Sequence, residues 1–153
     1  MGNFMKSMFN QADSSQLIER VRRLSPDAKA NWGKMEVAQM LAHAQRPLMS
    51  AYGELKSKRG LMGILFGKMA KKKLAGDQPF QKNLPTDKSF LVTDQRNFEE
   101  EREKLILSVQ RFIQVGPEGI AKEPHPFFGP MTPEEWDRLM WNHLDHHLRQ
   151  FGV

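Results

Sequence analysis

Residues Thr132 to Phe151 read TPEEWDRLMWNHLDHHLRQF, and they hold three of the chain's five histidines inside its clearest helical pattern. At about 100° per residue, Trp136, Leu139, Met140, Leu144 and Phe151 fall on one side of a helix, and His143 and His147 lie near the middle of that stripe. Thr132, Pro133 and Glu135 supply its start: a side-chain cap, a proline whose missing N–H costs nothing at the first position, and a glutamate that closes a capping box. Two imidazoles therefore point toward a core, one turn apart. Two histidines at that spacing can bind one metal ion.

Working back from this helix, KEPHPFFGP at Lys122 to Pro130 reads as a rigid aromatic connection. Before it, Asp94 is expected to cap a helix with Glu99, Glu100 and Glu101 in its early turns, where the dipole favours them. Its stripe is Phe98, Leu105, Val109 and Phe112, and Gly116-Pro117 stops it. Gly76 to Thr93 contains Pro79 and Pro85 and few periodic apolar residues, so it reads as a long loop, of the kind that often walls a site.

Gly60 to Leu74, GLMGILFGKMAKKKL, is expected to be a short connecting helix with a solvated, basic end rather than a membrane-surface or phosphate-binding helix, its GxxxG at Gly63 and Gly67 meaning little outside a membrane span. A longer helix is expected from about Lys34 to Lys56, with Val37, Met40, Leu41, Ala44, Leu48, Ala51 and Leu55 on one face. His43 sits at the edge of that face, and Pro47 removes the hydrogen bond to its carbonyl, so a bend is expected there. Asp13 or Ser14 is the expected cap of a first helix bearing Leu17, Val21 and Leu24, which Ser25-Pro26 ends. No strand pattern or internal repeat is visible. The expected fold is all-α: an antiparallel four-helix bundle over residues 1–153, a single domain, with Gly60–Leu74 as an extra short basic helix.

Composition narrows the chemistry. A chain of 153 residues can bury a real core without staples. It has no cysteine, which excludes disulfides, zinc ribbons and thiol nucleophiles and leaves histidine and carboxylate as the only metal ligands. No stretch approaches the roughly 20 apolar residues of a membrane span, the start MGNFMKSMFN lacks a signal-peptide core, and Gly2 followed by Lys6 fails the myristoylation pattern, so a cytoplasmic location is expected. The net charge of +5 is local. Seven Lys and Arg lie between Glu54 and Lys73, and outside that stretch 16 basic residues face 17 acidic ones.

Three imidazoles leave coordination positions for water or substrate, the arrangement of catalytic rather than closed structural sites. The third should come from a facing helix, and His43 is the other histidine inside a strong helical pattern. His146 lies about 60° further round than His143, where it suits a supporting or exposed role. His125 precedes the helix, and His143 lies about 16 Å along it, which argues against reach. No Glu stands three residues before a His, and HExxH, GxSxG, Walker and GxGxxG patterns are missing, so a mononuclear site remains. Zinc or nickel suits such ligands first, with manganese or iron also accommodated. Gln39 and Glu36, one and two turns before His43, and His146 are the weak candidates for an acid or base.

HPFFGPMTPEEWDRLMWNHLDHHLRQFG, together with NWGKMEVAQMLAH earlier, resembles an uncharacterised bacterial branch of the DinB-like (DinB/YfiT) superfamily. The resemblance implies a four-helix bundle of up-down-down-up topology and a metal held by His43, His143 and His147. It also implies a metal-dependent hydrolase, or a thiol-dependent S-transferase acting on a small molecule with a low-molecular-weight thiol, and a homodimer. The absence of a clear carboxylate base leans toward thiol transfer. The alternative of a different class is a non-enzymatic helical module that binds nucleic acid or an anionic membrane through the Lys56–Lys73 patch. Against it stand the lack of aromatic interleaving among the lysines and of any known reading motif. A metal-free or structurally metallated bundle that works only as an oligomer is a third reading.

Overall fold

In a computed structural model of the chain, residues 5–76, 79–120 and 122–153 are described, and Gly2 lies outside them. They form five α-helices: α1 (Gln11–Arg22), α2 (Val37–Ala51), α3 (Leu61–Leu74), α4 (Phe98–Gly119) and α5 (Pro133–Gln150). A 3-10 turn covers Lys88–Phe90, and no strand occurs among the described residues. α1 and α2 each pack against both α4 and α5, an arrangement consistent with four helices around a common core, whereas α3 stands outside it.

The ends of the helices show where local chemistry competes. α5 begins as its sequence dictates, with Thr132 accepting from Glu135 N and the Glu135 side chain accepting from Thr132 N, both at 3.1 Å. α1 is capped by Asn10, not by Asp13 or Ser14: Asn10 Oδ1 accepts from Asp13 N at 3.1 Å, and Asp13 falls in the first turn, paired with Lys6. The preceding residues extend this register. Met8 is fully buried, its N–H and the Ser7 hydroxyl donate to the Asp137 carboxylate of α5, and Phe9 stacks on Phe112. Likewise α4 is capped by Asn97, through a bond from Glu100 N at 3.0 Å, and Asp94 pairs with Arg96 instead.

α2 is shorter than the Lys34–Lys56 expected. Glu36 caps it, and it ends at Tyr52 because Gly53 takes φ +84, a left-handed conformation that terminates a helix and that glycine adopts without strain. The helix continues through Pro47 for one more turn. In α4, Gly116 at φ +68 breaks the helical path just before Pro117, so only a short turn follows.

One hydrophobic cluster runs from Met8 to Phe151 and joins Leu17 and Val21 of α1, Leu41 and Leu48 of α2, Leu105 and Phe112 of α4, and Trp136, Leu144 and Leu148 of α5. Each such side chain contributes about 1.5–3 kcal/mol on burial, before the entropy of ordering is subtracted. A buried carboxylate sits in this frame. Glu101 receives a bond from Gln45 Nε2 at 2.7 Å and lies 3.5 Å from both Arg96 and Lys104.

α3 is attached differently. Its Gly63 and Gly67 face the backbone of Phe127; a Cβ at Gly63 would stand 2.7 Å from the Phe127 carbonyl oxygen, and one at Gly67 would be closer still. The GxxxG spacing therefore has a packing role here, because two glycines one turn apart let a helix lie directly on another segment's backbone. Lys71, which bonds Glu135 and the Pro130 carbonyl, and Asn142, which donates to the Leu74 and Gly76 carbonyls, complete the attachment.

Gly67→Val is expected to lift α3 off Phe127 without disturbing the core. Hydrogen exchange should quicken more than tenfold across residues 61–74, about 1.4 kcal/mol of local stability, while α2 and α5 keep their protection. Equal loss in all helices would show that α3 is part of the cooperative core.

Candidate metal centre

α2 and α5 bring His43, His143 and His147 together. His43 Nε2 lies 3.0 Å from His143 Nε2 and 3.1 Å from His147 Nε2. Each side chain offers one ring nitrogen, and these three atoms lie within 4.8 Å of one another, a group that could hold a metal ion. The two separations from His43 are in the range of nitrogens about 2.0–2.1 Å from a shared centre. No other such cluster occurs among the described residues.

The protonation of two of these rings follows from their far sides. His43 Nδ1 stands 2.8 Å from the Phe90 carbonyl, which can only accept, so Nδ1 carries the hydrogen and Nε2 a bare lone pair. His147 Nδ1 stands 2.8 Å from Gln150 Oε1. The Gln150 amide is oriented by donating from Nε2 to the Trp32 carbonyl at 2.9 Å, so Oε1 must be the atom that faces His147, and His147 Nδ1 must donate. His147 Nε2 is then also a lone pair. Two acceptors are thus pointed at each other across 3.1 Å, an arrangement that repels unless a cation lies between them. His143 adds a third nitrogen, and its Nδ1 is buried with no hydrogen-bond partner.

Electrostatics keeps the rings neutral. Burial pushes His143 well below the usual histidine range, and the neighbouring histidines push it further. Burial is also the main cause for His147, lowered to about 3, with charge on His43 acting in the same sense and the Gln150 bond opposing. His43 is lowered by burial against the pull of the Phe90 carbonyl. Neutral imidazole is the form that ligates a metal.

Within the expected loop, residues of the 79–93 segment lie against this site. Its 3-10 turn delivers the Phe90 carbonyl to His43, and Phe80 sets its ring 6.0 Å from His143 and 5.8 Å from His146. On the other side Trp32 lies 5.3 Å from the His146 ring, with Lys82 stacked over its indole. Gly33, at φ +78, lets this turn pass close to Gln150: a Cβ there would meet Gln150 Nε2 at 3.0 Å.

The remaining sequence candidates lie elsewhere. His146 is half-buried between Trp32, Phe80 and His147 and is not one of the converging group. Glu36 and Gln39 spend their side chains on the capping box of α2, and Gln39 also donates to the Asp94 carbonyl, so neither is part of the histidine group. His125 is buried among Phe90, Phe128 and Trp136, where its Nδ1 accepts from Phe127 N and Phe128 N. Sequence reasoning missed Gln150 and the Phe90 carbonyl. Gln150 had a usable signal, since it stands three residues after His147 on the same helix face; a backbone carbonyl contributed by a loop has none.

Fold and site together define an all-helical protein with a three-histidine group able to hold a metal ion. Residues 5–152 match the family described as protein of unknown function (DUF1569), and the chain belongs to that family. No curated protein and no solved structure matches it.

His125 yields a pH prediction. Burial lowers its pKa to about 3, against about 6.5 when unfolded, so the unfolded chain takes the proton first. Its contribution to stability is complete above pH 6.5 and is lost as pH falls from 6.5 toward 3. The urea midpoint should drop between pH 7.5 and pH 5 by more in the wild type than in His125→Gln, the difference amounting to about 2 kcal/mol at most. Parallel curves would show that His125 does not carry this dependence.

Proposed function

We propose that this chain is a mononuclear metalloenzyme of DinB-like type, with a divalent ion held by His43, His143 and His147, that transfers a low-molecular-weight thiol to a small electrophilic substrate. The observation that carries the proposal is the facing of two unprotonated nitrogens, His43 Nε2 and His147 Nε2, at 3.1 Å beside a third imidazole. Three neutral nitrogen donors suit zinc or nickel first, and manganese or iron as well. When bound, such an ion supplies Lewis acidity toward a thiol or a water in the positions the protein leaves open.

The chain's own residues do the rest. Phe90 and Gln150 fix two imidazoles with Nε2 inward, so no reorientation is needed on loading. Phe80 sets an apolar ring beside His143, and Trp32 one beside the neighbouring His146, which would limit water around a reacting sulfur. In the transfer, the thiol gives up its proton to solvent, its sulfur bonds to the electrophilic carbon, and the leaving group departs with the bonding pair and takes up a proton in its turn. The metal group contains no carboxylate, and a thiol, with a pKa of about 8.5, needs a weaker base than water does. This supports transfer over hydrolysis. The up-down-down-up path of α1, α2, α4 and α5 and a homodimeric assembly belong to the same proposal.

Protein purified without an affinity tag should contain about one transition-metal ion per chain, and His143→Ala and His147→Ala should each lose it. Near-stoichiometric metal surviving both substitutions would overturn the ligand assignment. Gln150→Leu should keep the site but weaken metal affinity by about 10–100-fold, because the inward lone pair of His147 is no longer enforced. The metallated protein incubated with a panel of thiols and electrophiles should consume thiol in step with product; release of product without thiol consumption would make it a hydrolase.

A further inference from the structure

We propose that α3 is a docking surface for anionic membrane, on which the protein lies through the outward face of Leu61–Leu74. The sequence favours a connecting helix with a solvated end, but the structure leaves its apolar half in water. Leu61, Leu65 and Met69 are 70%, 62% and 69% exposed, and Met62, Ile64 and Phe66 lie exposed beside them. A continuous apolar face of this size on one helix marks an interaction surface. The side that is covered holds Gly63 and Gly67, packed on the Phe127 backbone, so the opposite side cannot turn inward without abandoning that contact.

Charge selects the occupant. At helical spacing Lys72 continues the row of Leu61, Leu65 and Met69, with Lys68 and Lys73 on its two flanks. All three are exposed and have no carboxylate partner among the described residues, whereas Lys71 is engaged with Glu135. No Asp or Glu stands between Glu54 and Asp77. A second copy docked on this face would cover the apolar side chains but leave Lys68, Lys72 and Lys73 without a counter-charge, because the face carries no Asp or Glu. Nucleic acid would satisfy the lysines and leave six apolar side chains without a partner. An anionic bilayer satisfies both: aliphatic side chains enter the boundary of the acyl chains while lysine stems follow them and the ammonium groups reach the headgroups. Beside the last turn, a cavity of about 410 Å³ lined by Ala70, Leu74, Pro79 and Leu84, with Lys73 and Gln81, has room for part of an acyl chain. No helix among the described residues is long and apolar enough to cross the bilayer, so the association is with its surface.

The full chain should co-sediment with vesicles containing phosphatidylglycerol at least tenfold more strongly than with phosphatidylcholine vesicles. The triple variant Leu61→Ser, Leu65→Ser, Met69→Ser should lose more than tenfold of that binding while keeping its thermal unfolding, since the three side chains contact solvent. Neutralising Lys68, Lys72 and Lys73 to Gln should lower binding about fivefold per lysine. Absence of binding to phosphatidylglycerol vesicles would overturn the proposal. So would heparin or RNA binding that survives the serine variant in place of vesicle binding, or a dimer that the serine variant dissociates, which would give the face to a second copy. None of these measurements depends on the metal or on catalysis.

Discussion

Two nitrogen lone pairs facing each other across 3.1 Å, those of His43 and His147, are the constraint around which the site is built. Neither could hold that orientation alone, because an imidazole can flip and exchange its tautomer. The Phe90 carbonyl and the Gln150 amide prevent this by each accepting the Nδ1 hydrogen. Both acceptors are themselves fixed from a distance: Phe90 by a 3-10 turn that Asp87 caps, and Gln150 by its bond to the Trp32 carbonyl. The chain thus uses two loops to orient two helical side chains. Asn31 N donates to the Gln150 carbonyl at 2.7 Å, which ties the same turn to the end of α5 a second time.

Placing these rings in the core has an electrostatic cost and a chemical use. Burial disfavours the imidazolium form, so His43, His143 and His147 all have lowered pKa values, and they are neutral at the pH where a ligand must be neutral. The buried charge of Glu101 is handled in another way, by Gln45, Arg96 and Lys104 around it. One part of the bundle therefore supports a charge with partners, and another gathers three neutral imidazoles that could hold a metal ion.

α3 departs from the rules that govern the other helices. They bury an apolar stripe against one another, whereas α3 buries two glycines and turns its large side chains outward. The close backbone approach that glycine permits, with the Lys71 and Asn142 bonds and the partly buried Ala70 and Leu74 at its end, holds it in place, and its large outward apolar residues remain available.

The reach of the sequence follows the range of the interactions. Thr132, Pro133 and Glu135 set the start of α5, and its apolar stripe sets its buried side, because capping and periodicity act within one or two turns. The same reasoning marks His43, His143 and His147 as a set, and all-α architecture follows from the periodic stretches. It misplaces the caps of α1 and α4, where several Asn, Asp and Ser stand close together and only packing selects among them: Met8 and Phe9 in the core fix Asn10 as the cap. It overextends α2 because Gly53 reads as tolerable within an otherwise helical run. Tertiary structure alone decided that the Phe90 carbonyl would orient His43, that Phe80 would wall the site, and that Gly63 and Gly67 would lie on Phe127. Those contacts join residues 47 or more apart through backbone atoms, shape and close approach, and such properties leave no periodicity or residue type for the sequence to display.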